Sequence, residues 1–272
     1  MKKLTYIIAA AALFVACSGN KQQSADNTDE QQTAAQTFQE QQIMAGMSAR
    51  LDSLTEAYMR VKPLPIFDKS QEGVITLSDE EKKILPAYLI DPEQIMDKLE
   101  TLSLKYRAFS VMSTDAMIAK LYEMPDVYSE PIAKLMAEIN DPALKFYMEN
   151  DGKIDRQEMM NEIYKIEEEA GRANYFWETA ATGLVEQLFI VGQNQDKFLS
   201  TFTDKDAEDI TWHLSILIDA YKDLSEYNTE LKKLYGVLKP LESLNAITVD
   251  EFRSQLNGIK TQVEQARATL FL

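Results

Sequence analysis

A spacing rule constrains this chain more than anything else in it. From Ala207 onward a stripe runs Ile210, Leu214, Leu217, Tyr221, Leu224, Asn228, Leu231, Tyr235 and Leu238, in steps of three and four residues until Pro240. Such steps put one side chain per turn on a single face of an α-helix, whereas a strand alternates faces at every residue. Behind a capping box of Thr248 and Glu251, the stripe Phe252, Leu256, Ile259, Val263, Ala266 and Leu270 repeats the rhythm. A third helix is expected from the Asp155/Glu158 cap to about Val191, with Met160, Ile163, Ala170, Trp177, Leu184 and Leu188 on one side. With nine glycines and eight prolines in 272 residues, there are few places for such helices to break. The pattern predicts an all-α fold: an elongated antiparallel bundle of long heptad-patterned helices over about 36–272, with a soft boundary near 151–155. Helices with such seams cross at about 20°.

The half before this boundary reads as shorter helices marked by caps and prolines. Met44, Met47, Leu51, Leu54, Tyr58 and Val61 form a stripe that Pro63 and Pro65 stop. Ser78 with Glu81 makes another capping box. Asp91-Pro92 opens a helix carrying Ile95, Leu99, Leu102, Tyr106 and Phe109, which either breaks at Ser113-Thr114-Asp115 or runs on to Glu123. Ser129 with Pro131, and Asp141 with Pro142, mark two further starts.

The first residues carry an address. Lys2 and Lys3 precede an apolar run from Leu4 to Val15, too short for the roughly 20 residues that span a bilayer. A basic start and a short apolar run are the pattern of an export signal. The run ends Leu13-Phe14-Val15-Ala16-Cys17, followed by Ser18-Gly19-Asn20, and this resembles the lipobox of Gram-negative bacterial lipoproteins. The resemblance is confined to this segment. It implies removal of 1–16, acylation of Cys17 by palmitate-type chains, and, since Ser18 is not Asp, an anchor in the outer membrane. Two or more acyl chains hold a protein at a membrane stably where one does not. Residues 17–35, rich in Gln, Ser, Asn and Thr, read as a disordered tether.

Charge and composition narrow the chemistry. A net charge of −16, with basic residues scattered among acidic neighbours, argues against nucleic acid as a partner. The lone cysteine is committed to lipid, and a lone histidine cannot supply two ligands to zinc. That histidine, His213, lies mid-helix beside the seam with no nucleophile turn near it, and reads as a partly covered flank residue. Calcium is the one cofactor suggested. Glu149, Asp151, Asp155 and Glu158 surround Gly152 somewhat as in an EF-hand loop, although Tyr147 stands where the first carboxylate belongs. The alternative is a glycine turn followed by an Asp155/Glu158 helix cap. A second, poorer likeness runs from Asp68 through Gly73 to Asp79.

Carboxylates are numerous enough for a glycosidase-type pair, but their separation is invisible in sequence. Thr179-Ala180-Ala181-Thr182-Gly183 suggests close helix packing. Trp177 falls in a seam and belongs to the core, whereas Trp212, with Ile216 one turn on, falls opposite its seam. Either a second layer of helices covers that face, the favoured reading, or Trp212 and Ile216 form an exposed recognition patch. The functional expectation is a lipid-anchored envelope lipoprotein, a non-catalytic binding or scaffold module with a protein partner in the envelope. The alternatives are a carboxylate-based hydrolase or carbohydrate-binding protein, and a calcium-dependent interaction module.

Overall fold

A computed structural model describes residues 50–60, 78–80, 86, 88–121, 123, 126–150, 153–226 and 229–271. The export segment, Cys17, the 17–35 tether, Met44, Met47, Val61, Pro63, Pro65, the Asp68–Gly73 stretch, Glu81, Asp151, Gly152 and Asn228 lie outside these residues. The fold is all-α: every regular element among the described residues is helical. Beside two 3-10 helices, Met96–Lys98 and Lys239–Ser243, the main α-helices in chain order are α1 (50–59), α2 (Pro92–Ile95), α3 (Leu102–Leu121), α4 (Ser129–Ile139), α5 (Pro142–Asn150) and α6 (Arg156–Glu169). They are followed by α7 (Ala173–Gln193), α8 (Gln195–Phe198), α9 (Asp204–Leu224), α10 (Thr229–Leu238), α11 (Val249–Gly258) and α12 (Lys260–Phe271). Ala45–Leu272 cluster as one compact unit. None of the described helices is long and apolar enough to cross a membrane.

Most of the expected starts are built as their residues suggest. The Asp91 carboxylate accepts from the Glu93 amide at 3.0 Å, Asp141 from Ala143 at 2.7 Å and Asp155 from Glu158 at 3.0 Å. Each satisfies a donor that has no partner inside its helix. Thr248 caps α11 through the Glu251 amide, and α9 begins at Asp204 behind a Thr203/Asp206 capping box. The α4 start differs. Asp126, not Ser129, supplies the cap oxygen, accepting from the amides of Tyr128 and Ser129 at 3.2 and 2.9 Å.

The long helices are shorter than their seams imply. The Asp91 helix stops at Lys98 after a short 3-10 extension, and its stripe resumes in α3, which runs through Ser113-Thr114-Asp115 without a break. The expected Asp155–Val191 helix is two, α6 and α7. Between them Gly171 adopts φ +69°, and the Gly171 and Arg172 amides reach back to the Glu168 and Glu167 carbonyls at 3.0 and 2.7 Å. This is a Schellman stop, whose left-handed residue is normally glycine. The Ala207–Leu238 stripe is likewise divided after Leu224, yet Leu224, Leu231 and Leu238 are buried and Tyr235 is half-buried. Periodicity reports which residues share a face, and two helices in series can share one.

At the centre lies α7. Phe176, Trp177, Ala181, Leu184, Val185, Leu188, Ile190 and Val191 are buried around its whole circumference, as expected of a helix covered on every side. Its principal neighbours are α3, α12, α9 and α6. The small-residue stretch lets α3 approach closely: a Cβ on Gly183 would sit 2.9 Å from Ser110 Oγ, which itself donates to the Thr179 carbonyl at 2.7 Å. Trp177 is a core residue, edge-on to Tyr58 and Phe176 at 5.6 and 5.4 Å between ring centroids. His213 is buried rather than half-covered, its ring 4.1 Å from that of Tyr58.

Candidate contact site

The outward face of α9 is as ordered as its inward one. Lys205, Glu208, Asp209, Trp212 and Ser215 follow one another at helical spacing, out of phase with Ala207, Ile210, Leu214 and Leu217 in the core. Together with Thr211, Ala246 and Ile247, they line an open concavity of about 400 Å³. Trp212 is 57% exposed and Ile247 64% exposed, and the other exposed large apolar side chains among the described residues are Val127 at 42% and Met148 at 54%. Isolated exposed apolar residues are normal, whereas two in one concavity mark a surface suited to contact.

The expectation that a second layer covers Trp212 is therefore corrected. The segments expected to do so pack elsewhere: α4 lies on α3, α5 on α6, and α1 places Tyr58 against Trp177 and His213. The Trp212–Ile216 pairing is corrected too, since Ile216 is buried and only Trp212 faces out. A step of four residues turns the helix by about 40° beyond a full circle, enough here to carry Ile216 under the edge of the core.

The opposite wall is pinned. Thr211 Oγ1 donates to the Ala246 carbonyl at 2.9 Å, and the Asn245 amide donates to Gln255 Oε1 at 2.8 Å. The Ile247 amide donates to Glu251 Oε2 at 3.0 Å and the Val249 amide to Asp204 Oδ1 at 2.9 Å. Ile247 sits one residue before the Thr248 cap, the position of a hydrophobic staple onto the fourth residue of the helix, Phe252. Phe252 is fully buried beside Phe202, while Ile247 points into solvent. The sequence reading missed Ile247, because its stapling position predicts a side chain packed on Phe252 rather than one left in solvent.

Of the calcium stretch, Glu149, Asp155 and Glu158 are described, and Asp151 and Gly152 are not. Glu149, at the end of α5, is exposed with Lys145 at 3.8 Å, while Asp155 accepts from Glu158's amide and serves as a helix cap. Among the described residues no group of three or more His, Cys, Asp or Glu is placed to hold a metal ion; Asp151 lies outside them.

Carboxylates do meet, but inside the core. Glu186 is fully buried and accepts from Arg267 Nε at 2.6 Å and Nη2 at 2.9 Å. Arg267 also donates to the Tyr88 carbonyl at 3.0 Å, and its guanidinium lies 4.0 Å from the centre of the Phe189 ring. Facing Glu186 is Asp115, also fully buried, with Oδ2 accepting from the Ile90 amide at 2.7 Å. Burial first, and the Glu186 charge second, push the Asp115 carboxyl up to about 9. Burial pushes Glu186 up as well, but the bidentate arginine pulls against it, whereas Asp115 has no such partner, and we assign the proton to Asp115.

A second pair repeats the device. Asp141 accepts from Arg172 at 2.9 Å and from the Tyr106 hydroxyl, and the neighbouring Glu167 is pushed up to about 8, by burial and then by the Asp141 charge. Glu178 accepts from Arg107 Nε at 2.7 Å, and Arg107 also reaches the Leu270 carbonyl at 3.3 Å, tying α3, α7 and α12 together. These acids are covered by protein. Their oxygens fasten helices.

No family model matches the chain, and neither a curated protein nor a solved structure matches it.

Proposed function

We propose that the chain is a lipid-anchored envelope lipoprotein whose helical body is a non-catalytic binding module, and that its contact site is the concavity between Trp212 and Ile247. The observation that carries this reading is the convergence of two strongly exposed apolar side chains on one open, pinned surface. A groove held in shape before its partner arrives loses less entropy on binding. The lipobox-like ending at Cys17 supports the anchor, which would leave the −16 body as a water-exposed ligand trap at the outer membrane.

The hydrolase alternative has less support. Glu208 and Asp209 stand side by side on one helix and both pair with Lys205, so they do not flank a space from opposite sides. Two measurements test the proposal. Mass spectrometry of the N-terminal peptide from membranes should find an acylated Cys17, and Cys17→Ser should release the chain to the soluble fraction. A photo-crosslinking residue at position 215, in the groove, should give a defined adduct in intact cells that one at position 148, an exposed apolar site elsewhere, does not. An unmodified Cys17 would remove the anchor, and equal labelling from both positions would remove the groove.

A further inference from the structure

The groove already holds a cation of its own. Lys205 Nζ lies 3.6 Å from Glu208 and pairs with Asp209, and both carboxylates sit within one turn of Trp212 on the same outward stripe. Lys205 is itself mostly exposed, so its ammonium occupies the carboxylates from the solvent side and is held there by little else. Across the concavity, Ile247 offers an apolar side chain to solvent, with Ala246 buried behind it. From these features, and resting on the binding role assigned to the groove above, we propose that the groove takes a peptide segment in which basic and apolar side chains alternate. A lysine or arginine of that segment displaces Lys205 from Glu208 and Asp209, and a neighbouring apolar side chain lies between Trp212 and Ile247.

The chemistry of the site selects this occupant on three grounds. An indole face attracts an alkylammonium or guanidinium more strongly than the other aromatic rings do, and here two carboxylates stand beside it. Basic side chains carry an aliphatic stem, which can lie along Trp212 and Ile247 while the charged head reaches the acids. The chain's charge of −16 draws cationic segments toward its surface and repels acidic ones, whichever face they meet first. Charge brings the segment in, and the apolar wall gives it a register.

The test uses the full chain carrying Cys17→Ser and the probe acetyl-Lys-Leu-Lys-Leu-Lys-amide. Controls replace leucine by serine, or lysine by glutamate, and cellobiose represents a carbohydrate ligand. Trp177 is fully buried, so a saturable change in tryptophan emission reports Trp212, and calorimetry supplies the affinity where Trp212 is removed. The lysine–leucine peptide should bind at least ten-fold more tightly than either control peptide, and more weakly as salt is raised. Trp212→Ala should weaken it at least ten-fold with unchanged thermal unfolding, and Lys205→Ala should tighten it several-fold by freeing the two acids.

Equal binding of the lysine–serine peptide, or no effect of Lys205→Ala, would overturn the proposal. If the glutamate–leucine peptide or cellobiose binds instead and Trp212→Ala abolishes it, the groove remains a binding site and the cationic occupant is wrong. If no probe responds to Trp212→Ala, the binding role of the groove falls along with it.

Discussion

Helices α7 and α9 have the same length, 21 residues, and contact each other, yet they treat their charged residues in opposite ways. On the outer face of α9, Glu208 and Asp209 lie beside Trp212 and pair with a lysine in solvent. On α7, which is surrounded, Glu178 and Glu186 point inward and are met by Arg107 and Arg267 from α3 and α12. An inward carboxylate must be paired or protonated, because an isolated buried charge is far costlier than an exposed one. The same residue type therefore fastens the fold on one helix and remains available for contact on the other. Substitutions on α7 should change stability, and those on the outer face of α9 should change binding alone.

The largest effect is expected where an ion pair is broken inside. Glu186→Ala takes from the Arg267 guanidinium both carboxylate acceptors and removes the ion pair that joins α12 to α7. The cost should be about 3–5 kcal/mol, the range for removing one partner of a buried pair, read from urea unfolding. Replacing both residues together with apolar ones of similar size should recover much of that loss. If Glu186→Ala proves as mild as a change at Glu208, the contrast between the two helices has no energetic basis.

The proton on Asp115 sharpens the same contrast. With its carboxyl ordinarily at 3.8 and held at about 9 in the folded protein, Asp115 keeps a proton between these values that the unfolded chain has lost. Folding thus binds a proton in that window, and stability falls as pH rises from about 4 toward 9. Glu167, moved from 4.5 to about 8, acts with the same sign. Asp115→Asn imitates the protonated form and can still accept from the Ile90 amide. Thermal unfolding of this variant and the parent chain should diverge increasingly in the variant's favour between pH 5 and 9. Parallel curves would mean that Asp115 is ionised in the fold and that the proton assignment is wrong.

How far the sequence revealed all this differs between the two helices. The all-α class and the capping carboxylates at Asp91, Asp141 and Asp155 were legible because helix faces and cap oxygens are local properties. Burial of Trp177 and the close packing at Gly183 followed from seam and residue size. The Asp115–Glu186–Arg267 cluster was not legible, because its members come from three helices and their separations in sequence carry no period. Trp212 was placed on the correct side of α9, but whether anything covers that side depends on where α1 and α4 pack, which no single stripe encodes. The divisions at Leu99–Thr101, Gly171 and Ser225 were missed because apolar rhythm continues across them.

Gly171 gives a smaller test of that last point. Its φ of +69° is the reason that α6 stops where it does, and a Cβ there would meet nothing within 4 Å. Gly171→Ala should cost only the strain of a left-handed residue, about 1–2 kcal/mol, measured by chemical unfolding. A neutral result would indicate that the seam can run continuously from α6 into α7 as one helix.

The smallest effect on stability, and the one that most directly separates the two helices, belongs to Trp212. Its ring is largely in solvent and packs into no core, so Trp212→Ala should leave the unfolding free energy within about 0.5 kcal/mol of the parent. The two tryptophans provide an internal check in the same experiment. Acrylamide should quench a large part of the emission of the parent chain through Trp212, while the emission left in Trp212→Ala, which comes from the fully buried Trp177, should resist it. A drop in stability comparable to that of Glu186→Ala, or residual emission as quenchable as the parent's, would place Trp212 in a packed environment. The outer face of α9 would then be part of the fold's support rather than a surface kept open for a partner.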